Sequence, residues 1–453
     1  MEPFRYHVFV CDQKKPEGVP CCSARGSASV LETLRREIAS RGLTDAVQVT
    51  VCGSLGLCEH GPNMVVYPEG IWYSRVAPED VPEIVSSHFG EGNPVERLAR
   101  IDTQELRAEI LSNREKMQTA MRAKEAAGAL PDDLLESLRS FQDSRVILAA
   151  VELNLFEAIG SGADATTVAR AIGADPRATE MLLNALCSLR LLKKEGRLFH
   201  NTAVGSRYFV AASPDSARDY LMHIANIWTR WSGLTECVKA GTAVGRNEVS
   251  DRGSEWTRHF IGAMNCIARE RVPLVVRAVG AEARKRMLDA GGGSAAYSIG
   301  FCRANPSLTA EVFDLPEVVE LTKRYVESAG LSERIKIRPG DLTRDSLGSG
   351  FDLVMVSQVC HSLSSAENLR LVGRCRDALI PGGTLAIQEF ILEEDRTSPK
   401  HATLFALNML VGTPAGRTYT EGEISEWIRA SGFKEIRRVR LPGPSGLMLA
   451  TRA

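Results

Sequence analysis

The sequence predicts an α/β protein of several domains, the last of them a doubly wound parallel sheet, and three observations carry that reading. From Met287 to Gln388 the apolar patterns alternate strand and helix at the spacing of βαβ units. Three consecutive glycines, Gly291 to Gly293, follow the first of those strands, which carries Asp289. Bare backbone there lets a nucleotide-like ligand approach closely. Before Tyr73 the order is strand, cysteine-bearing loop, helix, strand, cysteine-bearing loop and hairpin. At 453 residues the chain exceeds one core, so roughly two to four domains are expected.

At the start of the chain His7 to Val10 form a short strand that delivers Cys11. A loop with Pro16, Gly18 and Pro20 delivers Cys21 and Cys22, ahead of a helical pattern from Ser29 to Arg41. A second strand, Val47 to Val51, delivers Cys52, Ser54 and Cys58, and Met64 to Tyr67 with Ile71 to Tyr73 close a hairpin. Five of the 11 cysteines therefore lie within the first 58 residues. In a reducing compartment such a cluster points to metal rather than disulfides. Thiolates at the ends of neighbouring strands suit a [2Fe-2S] cluster, which takes four ligands; zinc is the alternative, although paired C-x-x-C knuckles are missing.

Residues 99 to 140 are charged and helical in period, broken at Gly128 to Pro131, and read as a connector. From Ser144, the apolar series Val146, Ile147, Ala150, Val151, Leu153, Leu155 and Phe156 predicts one buried helix ending near Gly160. Two short helices follow, Ala165 to Ile172 and Arg177 to Leu189, then a hairpin over Leu191 to Phe199. That is the order of a winged helix-turn-helix. A DNA reader needs a basic stripe on its second helix, but Met181, Leu182, Leu183, Leu186 and Leu189 make this one a packing helix, for dimerisation or closing over substrate. Trp228, Trp231 and Trp256 lie on later helical segments and read as core packing before substrate stacking.

The last region continues with Asp314, 21 residues after Gly293, where an acidic side chain at a strand end can accept hydrogen bonds from ribose hydroxyls. A helix from Val318 to Ala329 leads to the strand Ile335 to Ile337 and to Pro339-Gly340-Asp341. The strand Phe351 to Val356 then leads through a helix from Ala366 to Leu379 to Pro381-Gly382-Gly383 and the strand Thr384 to Gln388. Asp289, Asp314, Asp341 and His361 all fall at or just after carboxyl ends of strands, so they share one crevice. The glycine turn alone fits NAD or S-adenosylmethionine. A formal net charge of -1 gives no global pull toward nucleic acid or an anionic membrane, and the apolar runs near the start are too short for a leader or a span. The expectation is a cytoplasmic protein.

Residues 4 to 98 resemble the thioredoxin-like [2Fe-2S] ferredoxins. The likeness runs through Phe9-Val10-Cys11, Cys22-x-x-Arg25-Gly26-Ser27, Leu55-Gly56-x-Cys58-Glu59-x-Gly61-Pro62 and Val65-Val66-Tyr67-Pro68-x-Gly70-x-Trp72-Tyr73. The resemblance implies Cys11, Cys22 and Cys58 as ligands of a [2Fe-2S] cluster. Its last pair is spaced C-x-x-x-C, which puts Ser54 at the fourth position; Cys52, two residues earlier, is the expected substitute, because thiolate is a softer iron ligand than a serine oxygen.

Residues 141 to 453 resemble the caffeic acid and hydroxyindole O-methyltransferases, in which a winged-helix dimerisation domain precedes a Rossmann-like class I methyltransferase domain. The matching pieces are Phe260-x-x-x-Met264, the turn from Asp289 to Gly293, Phe313-Asp314-Leu315-Pro316, Gly340-Asp341, Cys360-His361, Pro381-Gly382-Gly383 and Thr418-Tyr419-Thr420. Ala295 stands at the family's last glycine of the turn, and Ser362 where an acid usually follows the histidine.

That resemblance implies S-adenosylmethionine as cofactor. The methionine part falls to Asp289, Gly291, Gly292 and Gly293, with Met264 alongside, the ribose to Asp314 and Leu315, and the adenine to Asp341 and Leu342. It makes His361 the general base and Glu389 the acid that orients it; a neutral imidazole suits removal of an acceptor proton near neutral pH. The implied domains are 1–98 (ferredoxin-like), 99–140 (connector), 141–210 (winged-helix dimerisation), 211–272 (helical substrate and dimer region) and 273–453 (cofactor-binding). The expected function is O-methylation of a small aromatic or quinol hydroxyl by a homodimer with a redox partner. Carbon methylation of a tetrapyrrole, and an iron-sulfur sensor whose winged helix binds DNA, are the alternatives.

Overall fold

The computed structural model describes residues 3–15, 19–244 and 253–453, so Pro16 and Gly18 of the first cysteine loop lie outside the described residues. The chain divides into two compact units, Met1–Ser140 and Phe141–Ala453.

In the first unit the strands are β1 (Tyr6–Cys11), β2 (Val47–Cys52), β3 (Met64–Tyr67) and β4 (Ile71–Tyr73), in the order β2-β1-β3-β4. β1 runs parallel to β2 and antiparallel to β3. The parallel pair needs a crossover, which α1 (Ser27–Ser40) supplies. Alternation along β1 sends Tyr6, Val8 and Val10 into a core with Val30, Leu34 and Ile38 of α1, so Cys11 comes off the end of a fixed strand. A short helix α2 (Val81–Glu83) opens into a wider π-helical turn, Ile84–Glu91, whose Ile84, Val85 and Phe89 complete that core. The connector is two helices, α3 (Thr103–Ala126), capped by Asp102, and α4 (Asp132–Arg139).

The second unit opens on α5 (Phe141–Glu152) and α6 (Leu155–Ile159). These replace the single helix expected to end near Gly160: Asn154 takes φ 52°, a left-handed conformation that stops α5, while Ala150, Val151, Leu155 and Phe156 still share one core. Then come β5 (Ala163–Asp164), α7 (Ala165–Ile172), α8 (Pro176–Ser188), β6 (Leu192–Glu195) and β7 (Leu198–Asn201), with the strands ordered β5-β7-β6. Asp164 and Asp175 cap α7 and α8 by accepting backbone N–H groups, and Leu183 and Leu186 of α8 are fully buried, as its apolar face requires. Four helices follow: α9 (Ala203–Tyr208), α10 (Arg218–Ser232), α11 (Leu234–Ala240) and the long α12 (Gly253–Val279).

The remainder is a seven-stranded sheet in the order β10-β9-β8-β11-β12-β16-β15. Its elements are β8 (Arg286–Ala290), α13 (Ala296–Ala304), β9 (Thr309–Asp314), α14 (Pro316–Ser328), β10 (Ile335–Pro339), β11 (Phe351–Ser357), α15 (Ser365–Ala378) and β12 (Leu379–Glu389). After the short β13 (Ile391–Leu392) come α16 (Lys400–Gly412), β14 (Tyr419–Thr420), α17 (Glu421–Ala430), β15 (Phe433–Val439) and β16 (Gly446–Arg452). The first five strands in the sheet order are parallel; β16 runs antiparallel to its neighbours β12 and β15, so β15 points the same way as the first five. β11 is buried almost throughout, as a central strand covered on both faces must be. Strand order reverses between β8 and β11, and the crevice of such a sheet opens at that switch point, beyond the carboxyl ends of the strands.

Candidate active site

Two turns meet at the switch point. After β8 the chain turns through Gly291 (φ 76°) and Gly293 (φ 53°), both left-handed. A Cβ on Gly291 would lie 2.6 Å from Val359 just beyond β11, and one on Gly292 would lie 2.8 Å from both the Asp289 carboxyl carbon and Val312. Ala295 holds φ 61°, which costs a non-glycine residue about 1–2 kcal/mol. Gly291 and Gly292 are therefore required by the close packing of neighbouring side chains on the turn.

Asp289 is fully buried, and its Oδ2 accepts from Ser298 Oγ at 2.8 Å and the Ser298 N–H at 3.2 Å. Burial pushes its pKa up to about 6, and the Asp314 charge adds to that. Among the described residues its Oδ1 has no hydrogen-bond partner. A buried carboxylate oxygen without a donor is costly, so the turn fits a ligand that brings a cation or donor to Asp289. The amino group of S-adenosylmethionine has that chemistry.

Asp314, at the end of β9, accepts the Gly293 and Leu315 N–H groups at 2.7 Å each, and burial raises its pKa. Asp341 lies after β10. Burial works against its charge, but hydrogen bonds from Thr343 and the nearby Arg344 and Arg374 outweigh that and pull its pKa down. The Leu342 carbonyl accepts from Arg374, and the Leu342 side chain faces Gly291. On α12 Ile261 stands 3.7 Å from the Cβ position of Gly293, with the half-buried Met264 one turn further on. The structure thus gathers Asp289, the glycines, Asp314, Leu315 and Leu342 around one crevice.

Beyond β11 a short turn, Cys360–Ser362, presents His361, 8% exposed. Its ring Nδ1 lies 2.8 Å from Glu389 Oε2, and its peptide N–H donates to Glu389 Oε1 at 3.2 Å. Glu389 ends β12, the strand next to β11, and is 3% exposed. With Nδ1–H donating to this carboxylate, Nε2 keeps its lone pair as an acceptor, the tautomer a general base needs. The turn is braced by Asn368 Nδ2 on the Cys360 carbonyl at 2.8 Å and by the Tyr419 hydroxyl on the Leu363 carbonyl at 2.6 Å. Phe405 meets the His361 ring edge-on at 4.8 Å, and Phe390 packs on Phe405 at 4.4 Å. Sequence reasoning missed Asn368, Phe390 and Phe405.

In the first unit, Cys11 and Cys22 are buried and in hydrogen-bonding contact. The Cys22 thiol holds the Cys11 pKa down to about 6 and is itself pushed up. Asn63 ties the pair together: its carbonyl accepts from the Cys11 N–H at 3.0 Å and its Nδ2 donates to Cys22 Sγ at 3.4 Å. A Cβ on Gly61 would lie 2.8 Å from Cys22 Sγ. Cys58 Sγ has the Ser54 hydroxyl at 3.4 Å. Cys52, expected on the loop with Ser54, is instead the last residue of β2, fixed opposite Cys11 by the ladder. Among the described residues no three His, Cys, Asp or Glu side chains converge as a metal-binding group, so the expected set of Cys11, Cys22, Cys52 and Cys58 is not gathered into one. Nor is any described helix long and apolar enough to cross a membrane.

Comparison with known proteins matches an O-methyltransferase dimerisation domain to residues 135–211 and an O-methyltransferase domain to residues 231–434. The 3-hydroxy-5-methyl-1-naphthoate 3-O-methyltransferase of Streptomyces sahachiroi is 34% identical over 322 residues, 68% of this chain and 92% of the relative. Bovine (Bos taurus) acetylserotonin O-methyltransferase is 31% identical over 337 residues, 70% and 97% of the two chains. Among solved structures, human N-acetylserotonin methyltransferase in complex with SAM matches with a TM-score of 0.64 at 27% identity, over 71% of this chain and 96% of that one. Residues 1–134 lie outside both family matches.

Proposed function

The chain belongs to the S-adenosylmethionine-dependent O-methyltransferase family, and from that premise we propose that it methylates the hydroxyl of a small aromatic or quinol acceptor. The observation that carries this reading is the buried His361–Glu389 pair beside Phe405 and Phe390 at the switch-point crevice. S-adenosylmethionine, when bound, would supply a sulfonium methyl group to the aryl oxygen, the S–CH3 bond breaking and S-adenosylhomocysteine leaving as the neutral thioether. Asp289, Gly291, Gly292, Gly293 and Met264 hold the methionine end, Asp314 and Leu315 the ribose, Asp341 and Leu342 the adenine. His361 Nε2 takes the hydroxyl proton as the oxygen attacks, and Glu389 fixes the ring and stabilises the imidazolium that forms. Phe405 and Phe390 stack against an aromatic acceptor and keep water from the base. Relatives that act on a hydroxynaphthoate and on acetylserotonin support an aromatic hydroxyl. The matched dimerisation domain, with its two helices and hairpin, supports a winged-helix homodimer.

The test offers purified protein a panel of phenols, quinols, aromatic acids and porphyrins with labelled S-adenosylmethionine, and locates the transferred methyl by mass spectrometry. Methyl on an aromatic oxygen is expected; methyl on carbon only would refute the reading.

For the first unit the proposal is a thioredoxin-like module that holds a [2Fe-2S] cluster and exchanges electrons with a redox partner. Its support is the β2-β1-β3-β4 topology and the arrangement of donors as two pairs, Cys11 with Cys22 and Ser54 with Cys58, since each iron of such a cluster takes two protein ligands. The fourth ligand is Ser54 or Cys52, and the 3.4 Å approach of Ser54 to Cys58 favours the hydroxyl. Anaerobic reconstitution with iron and sulfide tests it through visible absorption; a colourless protein would refute it.

A further inference from the structure

The acceptor site has a second polar end. On α16 Phe405, Asn408 and Gly412 follow one another at intervals of three and four residues, so they lie on one face. Phe405 stands against His361. Asn408 Oδ1 accepts from Trp231 Nε1–H of α10 at 2.9 Å. A side chain at Gly412 would begin 3.5 Å from Nη1 of Arg230, the residue before Trp231. From Phe405 to Gly412 the helix rises about 10 Å, so this wall has the base at one end and a guanidinium at the other.

Arg230 is half-buried in the last turn of α10, its Cζ 5.5 Å from the centre of the Trp256 ring, which stacks on Phe260 at 5.1 Å. Ile261, next to Phe260 and five residues along α12 from Trp256, reaches the glycine turn. Other half-buried arginines of this unit are matched by acceptors: Arg334 donates to the carbonyls of Cys302, Asn305 and Leu308, and Arg438 pairs with Glu393 and Glu421. Among the described residues no carboxylate pairs with Arg230, and burial alone shifts its pKa, downward. A guanidinium has five N–H donors, and one taken partly out of water with no carboxylate among the described residues is a ready partner for an anionic ligand.

We propose that Arg230 binds a carboxylate on the acceptor, so that the substrates are hydroxylated aromatic acids, hydroxyl at His361 and carboxylate at Arg230. The proposal rests on the O-methylation reading for the role of His361 and on the α10–α16 geometry for the anion. One or two fused rings with a polar group at each end span the wall between the two side chains. A guanidinium takes a carboxylate through two parallel N–H donors, and the Trp256 face holds it in plane for that geometry.

The test measures binding and turnover separately. Calorimetry in the presence of S-adenosylhomocysteine compares 3-hydroxybenzoate and 3-hydroxy-1-naphthoate with their primary amides. Wild-type protein is expected to bind each acid about 10–100-fold more tightly than its amide, and Arg230→Gln to lose that preference. S-adenosylhomocysteine affinity should be unchanged in Arg230→Gln, which shows the variant folded; Arg230→Lys should keep part of the preference as a second variant. Equal affinity for acid and amide in the wild type, or an unaltered preference in folded Arg230→Gln, overturns the proposal. An Arg230-dependent preference without any O-methylated product would overturn the O-methylation reading and leave the anion site standing.

Discussion

The His361 turn and the first cysteine loops both present reactive side chains at strand ends, but they are built in opposite ways. His361 is held from its ring, its peptide N–H and the neighbouring carbonyls by Glu389, Asn368 and Tyr419, all of them buried groups, from a strand of the large sheet, a helix packed on it and the short β14. In the first unit the close contacts are Cys11 with Cys22 and the Ser54 hydroxyl with Cys58, at the end of a four-stranded sheet, and among the described residues no larger donor group converges. A base has to be placed to a fraction of an ångström before its substrate arrives, so its supports are part of the fold. A metal cluster supplies much of its own organisation when it binds, so its ligands need not be gathered beforehand.

The largest effect that would sharpen this contrast is loss of the base. His361→Ala should lower turnover about 10²–10⁴-fold and leave S-adenosylmethionine affinity nearly unchanged, measured by calorimetry alongside initial rates. An equal loss of cofactor affinity would mean that the imidazole supports the fold instead of taking a proton. Glu389→Gln keeps the shape but removes the charge that stabilises the imidazolium, so it should show a smaller loss of kcat than His361→Ala, with S-adenosylmethionine affinity again nearly unchanged.

Asp289 gives the next effect, and its sign follows from the direction of its shift. Its folded pKa of about 6 lies above the ordinary 3.8, so between those values the folded protein binds a proton that the unfolded chain does not. Cofactor-free protein should therefore lose stability as pH rises through that window, by on the order of 3 kcal/mol in all. A cofactor cation beside Oδ1 reverses the preference. S-adenosylmethionine affinity should then rise up to about tenfold per pH unit below 6 and level off above it. Asp289→Asn should flatten both profiles; flat profiles in the wild type would remove Asp289 from the cofactor site.

What the sequence made legible follows the same divide. Periodicity of 2 and of 3.6 residues located strands and helices between Met287 and Gln388, because a doubly wound sheet buries both faces and writes that burial into its strands; α16, β15 and β16 were not read from it. The break at Asn154 was hidden, since the apolar series runs through it and only the backbone angle stops the helix. Glycine spacing pointed to the crevice around Asp289, Gly291 and Asp314. Phe405 was illegible because it meets His361 from a helix some forty residues further along the chain, and single-residue identity says nothing of that approach. Cys52 and Ser54 differ by two positions, which in sequence is a choice between thiol and hydroxyl; in space it is also a choice between strand and loop.

That last difference yields the smallest expected effect. Cys52 is fixed by its ladder opposite Cys11, and freeing it for iron means breaking strand pairing at the end of β2. Ser54 needs no such rearrangement, but an alkoxide is the harder and weaker partner for iron. If Ser54 is the fourth ligand, Ser54→Cys should raise the iron retained after reconstitution and slow its loss in air, and Cys52→Ala should change little. Visible absorption and bound iron and sulfide decide it. A cluster lost in Cys52→Ala but kept in Ser54→Ala would show that iron pulls the end of β2 out of its ladder, and that this thiol site is remade by its metal where the His361 site is fixed by its fold.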